Sequence, residues 1–314
     1  AGSKAQVYVE TQATTPKGKA GARLAVRLLD ANGRAVAQKN LTANAQGTAA
    51  VQLNVANAKA WSPEQPYLYT LEVSLYQGNK LADRLRQRVG IRTVAVSKEH
   101  GFQLNGQSRK FKGVCLHHDL GPLGAAVNKA AIIRQIRLMK DMGVDAIRTS
   151  HNMPSQMQMQ VCDSMGMMVM AESFDAWKEP KVKNGYNLFY DQWWRKDLEN
   201  LIRGHRNHPS IVMWSIGNEI PEQWNKEGAQ RAKDMTDYCH QLDNTRPVTC
   251  GGDNPKANTE CGFYAALDVP GFNYRVNLYD ELISKQRQGF ILGSETTSTV
   301  SSRGVYKFPV DEKK

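Results

Sequence analysis

Cysteine is scarce in this sequence, and long apolar runs are absent from it. The 314 residues include five cysteines, an odd number spread from Cys115 to Cys261 without a Cys-x-x-Cys spacing. This pattern argues against a disulfide framework and against a structural zinc site. No apolar stretch approaches the roughly 20 residues that a membrane-spanning helix needs, and no signal peptide opens the chain. The sequence therefore predicts no membrane-spanning helix.

Acidic residues are in short supply at the front of the chain. Residues 1–97 hold 13 Lys/Arg against 5 Asp/Glu, whereas the remainder holds 28 against 25, for a net charge of +11. Such a basic face attracts anionic polysaccharides, membrane surfaces or nucleic acids. No basic motif is interleaved with aromatic residues, so nucleic acid is not an expected partner. A solvated basic face is the favoured interpretation.

The pattern of residues 1–97 predicts an all-β domain, the first of two domains expected for a chain of this length. Five segments alternate with period 2, and turn signals such as Asn32-Gly33 separate them. Their spacing favours an immunoglobulin-like sandwich without its disulfide. The five segments are Val7–Glu10, Ala22–Leu29, Ala49–Val55, Leu68–Tyr76 and Asp83–Val89.

Residues 98–314 change to alternating strands and helices, which predicts a parallel sheet in a second domain. The seven candidate strands are Phe111–Leu116, Val144–Arg148, Met167–Glu172, Ile211–Ile216, Val248–Cys250, Val269–Asn273 and Phe290–Gly293. The candidate helices between them are Lys129–Met142, Gln156–Met165, Asp191–His205, Lys226–Leu242 and Leu278–Gln288.

The most informative stretch is Arg206-Asn-His-Pro-Ser-Ile-Val-Met-Trp-Ser-Ile-Gly-Asn-Glu219. A polar turn leads into a short apolar segment typical of a buried strand. The segment ends in Ser-Ile-Gly and then presents Asn218 and Glu219. Catalytic groups of a (β/α)8 barrel lie at the carboxyl ends of its strands. An isolated Asn-Glu pair often only caps the next helix, but the whole run favours a catalytic carboxylate with an amide that binds a substrate hydroxyl.

The same stretch resembles the acid/base signature of glycoside hydrolase family 2, which contains β-galactosidases, β-glucuronidases and β-mannosidases. Trp61–Tyr69 and Gly90–Val94 also resemble the end of that family's second, sandwich domain. The resemblance implies a (β/α)8 TIM barrel for the second domain. Because only seven strands are counted before Lys314, we expect an internal fragment of a longer enzyme, truncated after strand seven.

A second carboxylate is expected on the seventh strand. Retaining glycosidases need two carboxyl groups about 5–5.5 Å apart. Glu295 follows the apolar run of strand seven and lies 76 residues after Glu219, a distance that fits three βα units. Strands four and seven face each other across such a barrel. The resemblance implies that Glu295 is the nucleophile and that Glu219 is the acid/base.

The resemblance also implies residues that support the nucleophile. Arg148 and His151 follow strand two and resemble the arginine–histidine signature of the family. Arg148 is expected to keep Glu295 ionised, because a neighbouring positive charge lowers the pKa of a carboxyl group. His151 is expected to contact the sugar. Tyr274 follows strand six, where the family has a tyrosine that is hydrogen-bonded to the nucleophile.

Two further strand ends carry candidate substrate-binding residues. His118 and Asp119 follow strand one, and Asp175 and Trp177 follow strand three, where the indole of Trp177 is expected to form an apolar platform for a sugar. Metal-dependent members of the family have a glutamate and a histidine after strand three. The segment Ala171–Trp177 has no histidine, so no metal is expected.

These features together predict a retaining exo-β-glycosidase, and a β-galactosidase is favoured. The stretch Trp214–Glu219 resembles β-galactosidases somewhat more than β-mannosidases. The alternatives left open are a β-glucuronidase or β-mannosidase of the same family and a catalytically inactive carbohydrate-binding module. A non-carbohydrate hydrolase finds no supporting Gly-x-Ser-x-Gly motif. The expected partner is a carbohydrate substrate, without nucleic acid, membrane or cofactor, and a homo-oligomer is left open. A periplasmic or secreted location is favoured over the cytoplasm for a bacterial protein.

Overall fold

Six strands form the front sandwich in the computed structural model, which describes residues 3–14 and 21–298. Strand β1 pairs with β4, and the other four form a sheet in the order β3-β2-β5-β6. Apolar side chains of the two sheets, including Val26, Leu28 and Leu53, pack between them. The strands are β1 (Ala5–Gln12), β2 (Arg23–Leu29), β3 (Ala35–Thr42), β4 (Thr48–Val55), β5 (Tyr69–Gln77) and β6 (Lys80–Val89). The structure confirms the predicted sandwich and adds β3.

A small antiparallel sheet follows the sandwich. It consists of β7 (Val94–Ser97), β8 (Gly101–Leu104) and β9 (Gln107–Ser108). The predicted domain boundary between residues 97 and 98 falls in the turn between β7 and β8, and it stays a prediction.

Seven parallel strands form the sheet of the second domain, and each pairs with its neighbours in chain order. They are β10 (Gly113–Leu116), β11 (Ala146–Thr149), β12 (Met168–Glu172), β13 (Ile211–Asn218), β14 (Val248–Gly252), β15 (Val269–Asn273) and β16 (Leu292–Glu295). The helices are α1 (Lys129–Asp141), α2 (Gln156–Met165), α3 (Tyr190–His205), α4 (Lys226–Leu242), α5 (Pro255–Glu260) and α6 (Tyr279–Ile283). The described part of this domain is a nearly closed barrel, as predicted.

Local chemistry explains where the helices begin and end. Side chains of Asn128, Ser155 and Asn225 accept hydrogen bonds from the first turns of α1, α2 and α4. Helix α2 is followed by Gly166, which has a φ of 72° and lies against the carbonyl of Pro63, where a Cβ atom would collide. The predicted helix Leu278–Gln288 is too long, because α6 ends at Ile283.

The sandwich contacts the barrel at the amino-terminal ends of its strands. The Trp61 indole is fully buried and donates to the Asp163 carbonyl at 2.8 Å. Arg92 donates to the carbonyls of Pro209 and Ile211 at 2.9 and 2.6 Å. Within the described residues, no helix is long and apolar enough to cross a membrane. The opposite, carboxyl ends of the strands carry the polar side chains described next.

Candidate active site

Arg148 is the centre of a cluster of polar side chains at the carboxyl ends of the strands. It lies on β11 and is only 3% exposed. Its guanidinium binds Glu172 at 2.7 Å and Glu295 at 2.6 Å, and it donates to Asn218 Oδ1 at 2.9 Å. Burial by itself lowers the pKa of an arginine, but the neighbouring carboxylates reverse this effect and raise the pKa of Arg148. The Arg148 guanidinium therefore links side chains at the ends of β12, β13 and β16.

Glu295 is the last residue of β16, and its carboxylate is held from two sides. One oxygen accepts from Arg148 at 2.6 Å, and the other accepts from the Tyr274 hydroxyl at 2.6 Å. Burial tends to raise the pKa of this carboxyl, but the hydrogen bond from Tyr274 and the charge of Arg148 outweigh it. The net effect lowers the pKa of Glu295, so this group is an anion near neutral pH. The hydrogen bond to Glu295 likewise raises the pKa of Tyr274.

Glu219 follows the end of β13 and has different surroundings from Glu295. Its backbone adopts a left-handed φ of 43°, and its N–H donates to the Gly251 carbonyl at 2.7 Å. Its carboxylate accepts a hydrogen bond from the Asn273 amide at 2.9 Å. Among the described residues, no cationic side chain lies within 4 Å of it. Glu219 is thus oriented by an amide rather than by a charge.

Asn218 and Asn273 connect the two glutamates. Asn218 Oδ1 accepts from both Arg148 and Asn273 at 2.9 Å, which fixes the orientation of its amide because neither partner group can accept. Asn273 is fully buried at the end of β15, and its Oδ1 accepts from Ser294 at 2.7 Å. The sequence interpretation did not assign Asn273 to the site, although it is the last residue of a predicted strand.

Glu172 is a second site residue that the sequence interpretation missed. It ends β12 with no exposed surface, and it binds Arg148, the Ser215 hydroxyl at 2.6 Å and His151 Nδ1 at 2.6 Å. His151 Nε2 lies 3.6 Å from Glu295. Glu172 therefore orients both the arginine and the histidine. The position of Glu172 at the end of a predicted strand is the feature of the sequence that indicates a site residue.

Gly251 makes room for this network. A methyl group at this position would lie 2.8 Å from Asn273 Oδ1 and 2.9 Å from Arg148 Nη2. Both are polar atoms already fixed by hydrogen bonds, so neither moves aside without breaking one. Glycine is needed here because the guanidinium packs directly against the backbone of β14.

The expectation for the end of β10 needs a correction. His118 and Asp119 were expected in the pocket, but they line a separate small cavity beside α1. His118 has a left-handed φ of 53°, and Asp119 accepts from the Gly121 N–H at 2.5 Å. The turn therefore directs both side chains away, and His117 is the residue that lines the main cleft and packs edge-on against His151.

Asp175 and Trp177 have separate positions after β12. Asp175 is half exposed and its Oδ1 accepts from the Asn218 amide at 3.2 Å, so it adjoins the cluster. Trp177 is fully buried, and its indole donates to the Ile216 carbonyl at 2.8 Å. The predicted sugar platform is therefore wrong for Trp177, since no face of the indole is accessible.

One cleft extends from the site to the open side of the described barrel, between the outer strands β10 and β16. Glu219, Glu295, Arg148, Asn218 and Tyr274 all line it. Glu295, Tyr274 and Asn218 also make direct hydrogen bonds within the cluster, so their polar groups are already oriented before a ligand enters. In the part of the chain that the structure describes, no group of three or more His, Cys, Asp or Glu side chains is arranged to hold a metal ion. The absence of a metal requirement stays a prediction.

Comparison with known proteins identifies the family. The family model described as "Glycosyl hydrolases family 2" matches residues 1–92. The model described as "Glycosyl hydrolases family 2, TIM barrel domain" matches residues 94–311. The chain belongs to glycosyl hydrolase family 2. It is 36% identical to a β-galactosidase of Bacteroides ovatus over 90% of its own length, and 35% identical to a putative β-glucuronidase of Formosa agariphila over 91%.

Solved structures of the family have the same fold. A glycosyl hydrolase family 2 member from Bacteroides cellulosilyticus superposes on 93% of the chain with a TM-score of 0.86 and 38% identity. A β-glucuronidase from Parabacteroides merdae superposes on 91% with a TM-score of 0.74 and 25% identity. The chain covers 40% and 36% of these two structures, and 38% and 26% of the two relatives named above. It therefore spans about a third of its relatives.

Proposed function

We propose that this chain carries the catalytic centre of a retaining exo-β-glycosidase, with Glu295 as nucleophile and Glu219 as acid/base. Family membership supports the reaction class, and two glutamates at the ends of β13 and β16 support the double displacement. The protein acts on a carbohydrate and needs no cofactor or metal.

The observation that carries the proposal is the contrast between the two glutamates. Arg148 and Tyr274 hold the pKa of Glu295 below its ordinary value, which suits a nucleophile that must be ionised when substrate arrives. Glu219 has an amide partner, Asn273, in place of a cation. A group that alternately gives and takes a proton benefits from the absence of a fixed charge, because such a charge would favour one protonation state.

The reaction then follows in two steps. The Glu295 carboxylate attacks the anomeric carbon while Glu219 transfers its proton to the departing glycosidic oxygen. A covalent glycosyl ester on Glu295 results. In the second step Glu219 takes a proton from water, the resulting oxygen nucleophile attacks the anomeric carbon, and the bond to Glu295 breaks. The product keeps the β configuration.

A β-galactoside is the proposed substrate, supported by the β-galactosidase of Bacteroides ovatus that aligns over 90% of the chain. A β-glucuronoside is the second candidate, because the putative β-glucuronidase of Formosa agariphila aligns over 91%. A panel of nitrophenyl β-galactoside, β-glucuronide and β-mannoside tested on the complete protein decides among them. Lack of turnover of the whole panel would refute the proposed function.

Product stereochemistry tests the mechanism. Proton NMR at early times is expected to show the β anomer first, and an initial α anomer would rule out the double displacement. Glu295→Gln is expected to abolish turnover. Glu219→Ala is expected to retain activity on substrates with very good leaving groups and to be rescued by azide, since only proton transfer is lost. Glu281→Gln, which alters an exposed glutamate paired with Lys285, is the matched control and is expected to leave the rate unchanged.

A further inference from the structure

The segment that follows β12, residues 173–181, is fastened to the strand that precedes Glu219. Phe174 and Trp177 are buried, and the Trp177 indole donates to the Ile216 carbonyl near the carboxyl end of β13. Gly217 permits this approach, because a Cβ atom there would lie 3.0 Å from the indole nitrogen. The burial of Trp177 thus holds the segment in place beside the site.

Glu222 provides a second attachment. It lies three residues beyond Glu219 with 1% of its surface exposed, and its Oε1 accepts from the Lys178 backbone N–H at 3.1 Å. Burial raises the pKa of its carboxyl group. Arg231 lies 3.6 Å away and is the nearest cation to the carboxylate among the described residues. The loop after β13 and the segment after β12 therefore hold each other.

Lys181 makes the third attachment, and this one touches the site. Its ammonium donates to Asp175 Oδ1 at 2.8 Å and to the backbone carbonyl of Asn218 at 2.8 Å. Its side chain is 24% exposed, so the ion pair is partly shielded from solvent. Asp175 Oδ1 accepts in turn from the Asn218 side-chain amide at 3.2 Å. One lysine thereby contacts both the backbone of Asn218 and the acceptor of its amide.

The side-chain amide of Asn218 has a second N–H, which does not bind Asp175. Its Oδ1 is already occupied by two donors, and among the described residues Asp175 is the one acceptor of its Nδ2. The second N–H has no acceptor among the described residues, and the side chain lines the cleft. Because Asn218 directly precedes the proposed acid/base, we take the sugar hydroxyl that it binds to be the 2-hydroxyl, whose hydrogen bonds strengthen in the transition state of glycoside hydrolysis.

We propose that Lys181 is a positioning residue, which acts through Asp175 to aim the Asn218 amide at the 2-hydroxyl of the sugar. This inference rests on the proposed glycosidase function and goes beyond it by assigning a role to a residue that does not touch the substrate. Lys181 also balances the negative charge of Asp175, which has no other ion-pair partner among the described residues.

The test compares two substrates in the complete protein, nitrophenyl β-galactoside and its 2-deoxy analogue. Lys181→Met is expected to lower kcat/KM for the first by about 10- to 100-fold, mostly in kcat, because a small displacement of a catalytic contact has effects of this size. The loss for the 2-deoxy analogue is expected to stay below about threefold. Lys178→Met is the matched control: this lysine lies in the same segment but pairs with the exposed Asp191, and unchanged activity is expected.

Equal losses for the two substrates, or full activity of Lys181→Met, would overturn the proposal. A second experiment needs no substrate and measures urea unfolding of Lys181→Met, Asp175→Asn and the double variant. The effects of the two single substitutions on the unfolding equilibrium constant are expected to be coupled by about two- to fivefold. Independent effects would overturn it as well. A wild type that is inactive on every glycoside would refute the proposed function, whereas the unfolding arm would still decide whether Lys181 and Asp175 interact.

Discussion

Replacing Arg148 by methionine tests the central feature of the site. The variant removes the guanidinium that binds Glu172, Glu295 and Asn218 and leaves the fully buried Glu172 without a cation. Breaking a buried pair in this way costs about 3–5 kcal/mol of stability. That is a large part of the roughly 5–15 kcal/mol that separates folded from unfolded proteins.

The same variant alters the chemistry of Glu295. A contacting positive charge lowers a carboxyl pKa by about 1–3 units, so its loss is expected to move the acid limb of kcat/KM upward by a similar amount. In the wild type the pKa of Glu295 lies below its ordinary 4.5. Its ion pair therefore stabilises the fold above about pH 4.5, and this contribution is lost as the pH falls through the lowered pKa. Wild type and Arg148→Met are expected to differ in stability, and the contribution of the Glu295 ion pair to this difference is expected to shrink at acid pH.

Two comparison variants make the result specific. Arg246→Met breaks a buried pair with Asp243 at the opposite end of the barrel, so it is expected to lose similar stability with an unshifted acid limb. Arg148→Met with Glu172→Gln removes both buried charges and is expected to regain stability but little activity. Urea unfolding at pH 7 and kcat/KM from pH 4 to 8 are the measurements. Wild-type stability together with an unshifted acid limb in Arg148→Met would refute the reasoning.

Two further predictions concern single contacts, and a third concerns metal dependence. Tyr274→Phe removes the hydroxyl that donates to Glu295, and we expect about a tenfold loss of kcat with an upward shift of the acid limb; an unshifted limb would contradict it. Gly251→Ala introduces a methyl group 2.9 Å from Arg148 Nη2, and a loss of at least about tenfold in kcat/KM is expected because the guanidinium must move. Incubation with EDTA is expected to leave activity within about twofold, since Ala171–Trp177 offers no histidine; a loss reversed by magnesium would show otherwise.

The strands of the barrel were predictable because each is a short apolar run with polar residues at its carboxyl end. Ile211–Asn218 is buried throughout, which is what a strand covered on both faces requires. Strand β3 was missed because its middle, Gln38-Lys39-Asn40, is polar and exposed at the edge of its sheet. A strand whose middle residues are all polar has no apolar alternation to detect.

Side-chain direction beyond the strand ends was not predictable. Within a strand, successive residues point to opposite faces, but this regularity ends where the backbone turns. His117 and His118 are neighbours of the same type, and only the left-handed φ of His118 separates the one in the cleft from the one outside it. Trp177 was misjudged for the same reason, because the path of an irregular segment decides whether an indole is buried.

The buried partners were missed for a different reason. Glu172 and Asn273 have no accessible surface. A sequence pattern does not show whether a carboxylate is buried beside a cation or exposed to solvent. Their burial is acceptable only because Arg148, Ser215 and His151 satisfy Glu172, and because Asn218, Glu219 and Ser294 satisfy Asn273.

The arrangement of charge around Arg148 limits where a proton can be exchanged. The arginine faces two carboxylates, Glu172 and Glu295, and both are satisfied by hydrogen bonds from tyrosine, serine or histidine side chains. Both carboxylates are therefore committed to ion pairs with the buried guanidinium. Glu219 alone among the three glutamates is held by a neutral amide. Because Glu219 takes part in none of these ion pairs, we propose it, and not Glu172, as the acid/base.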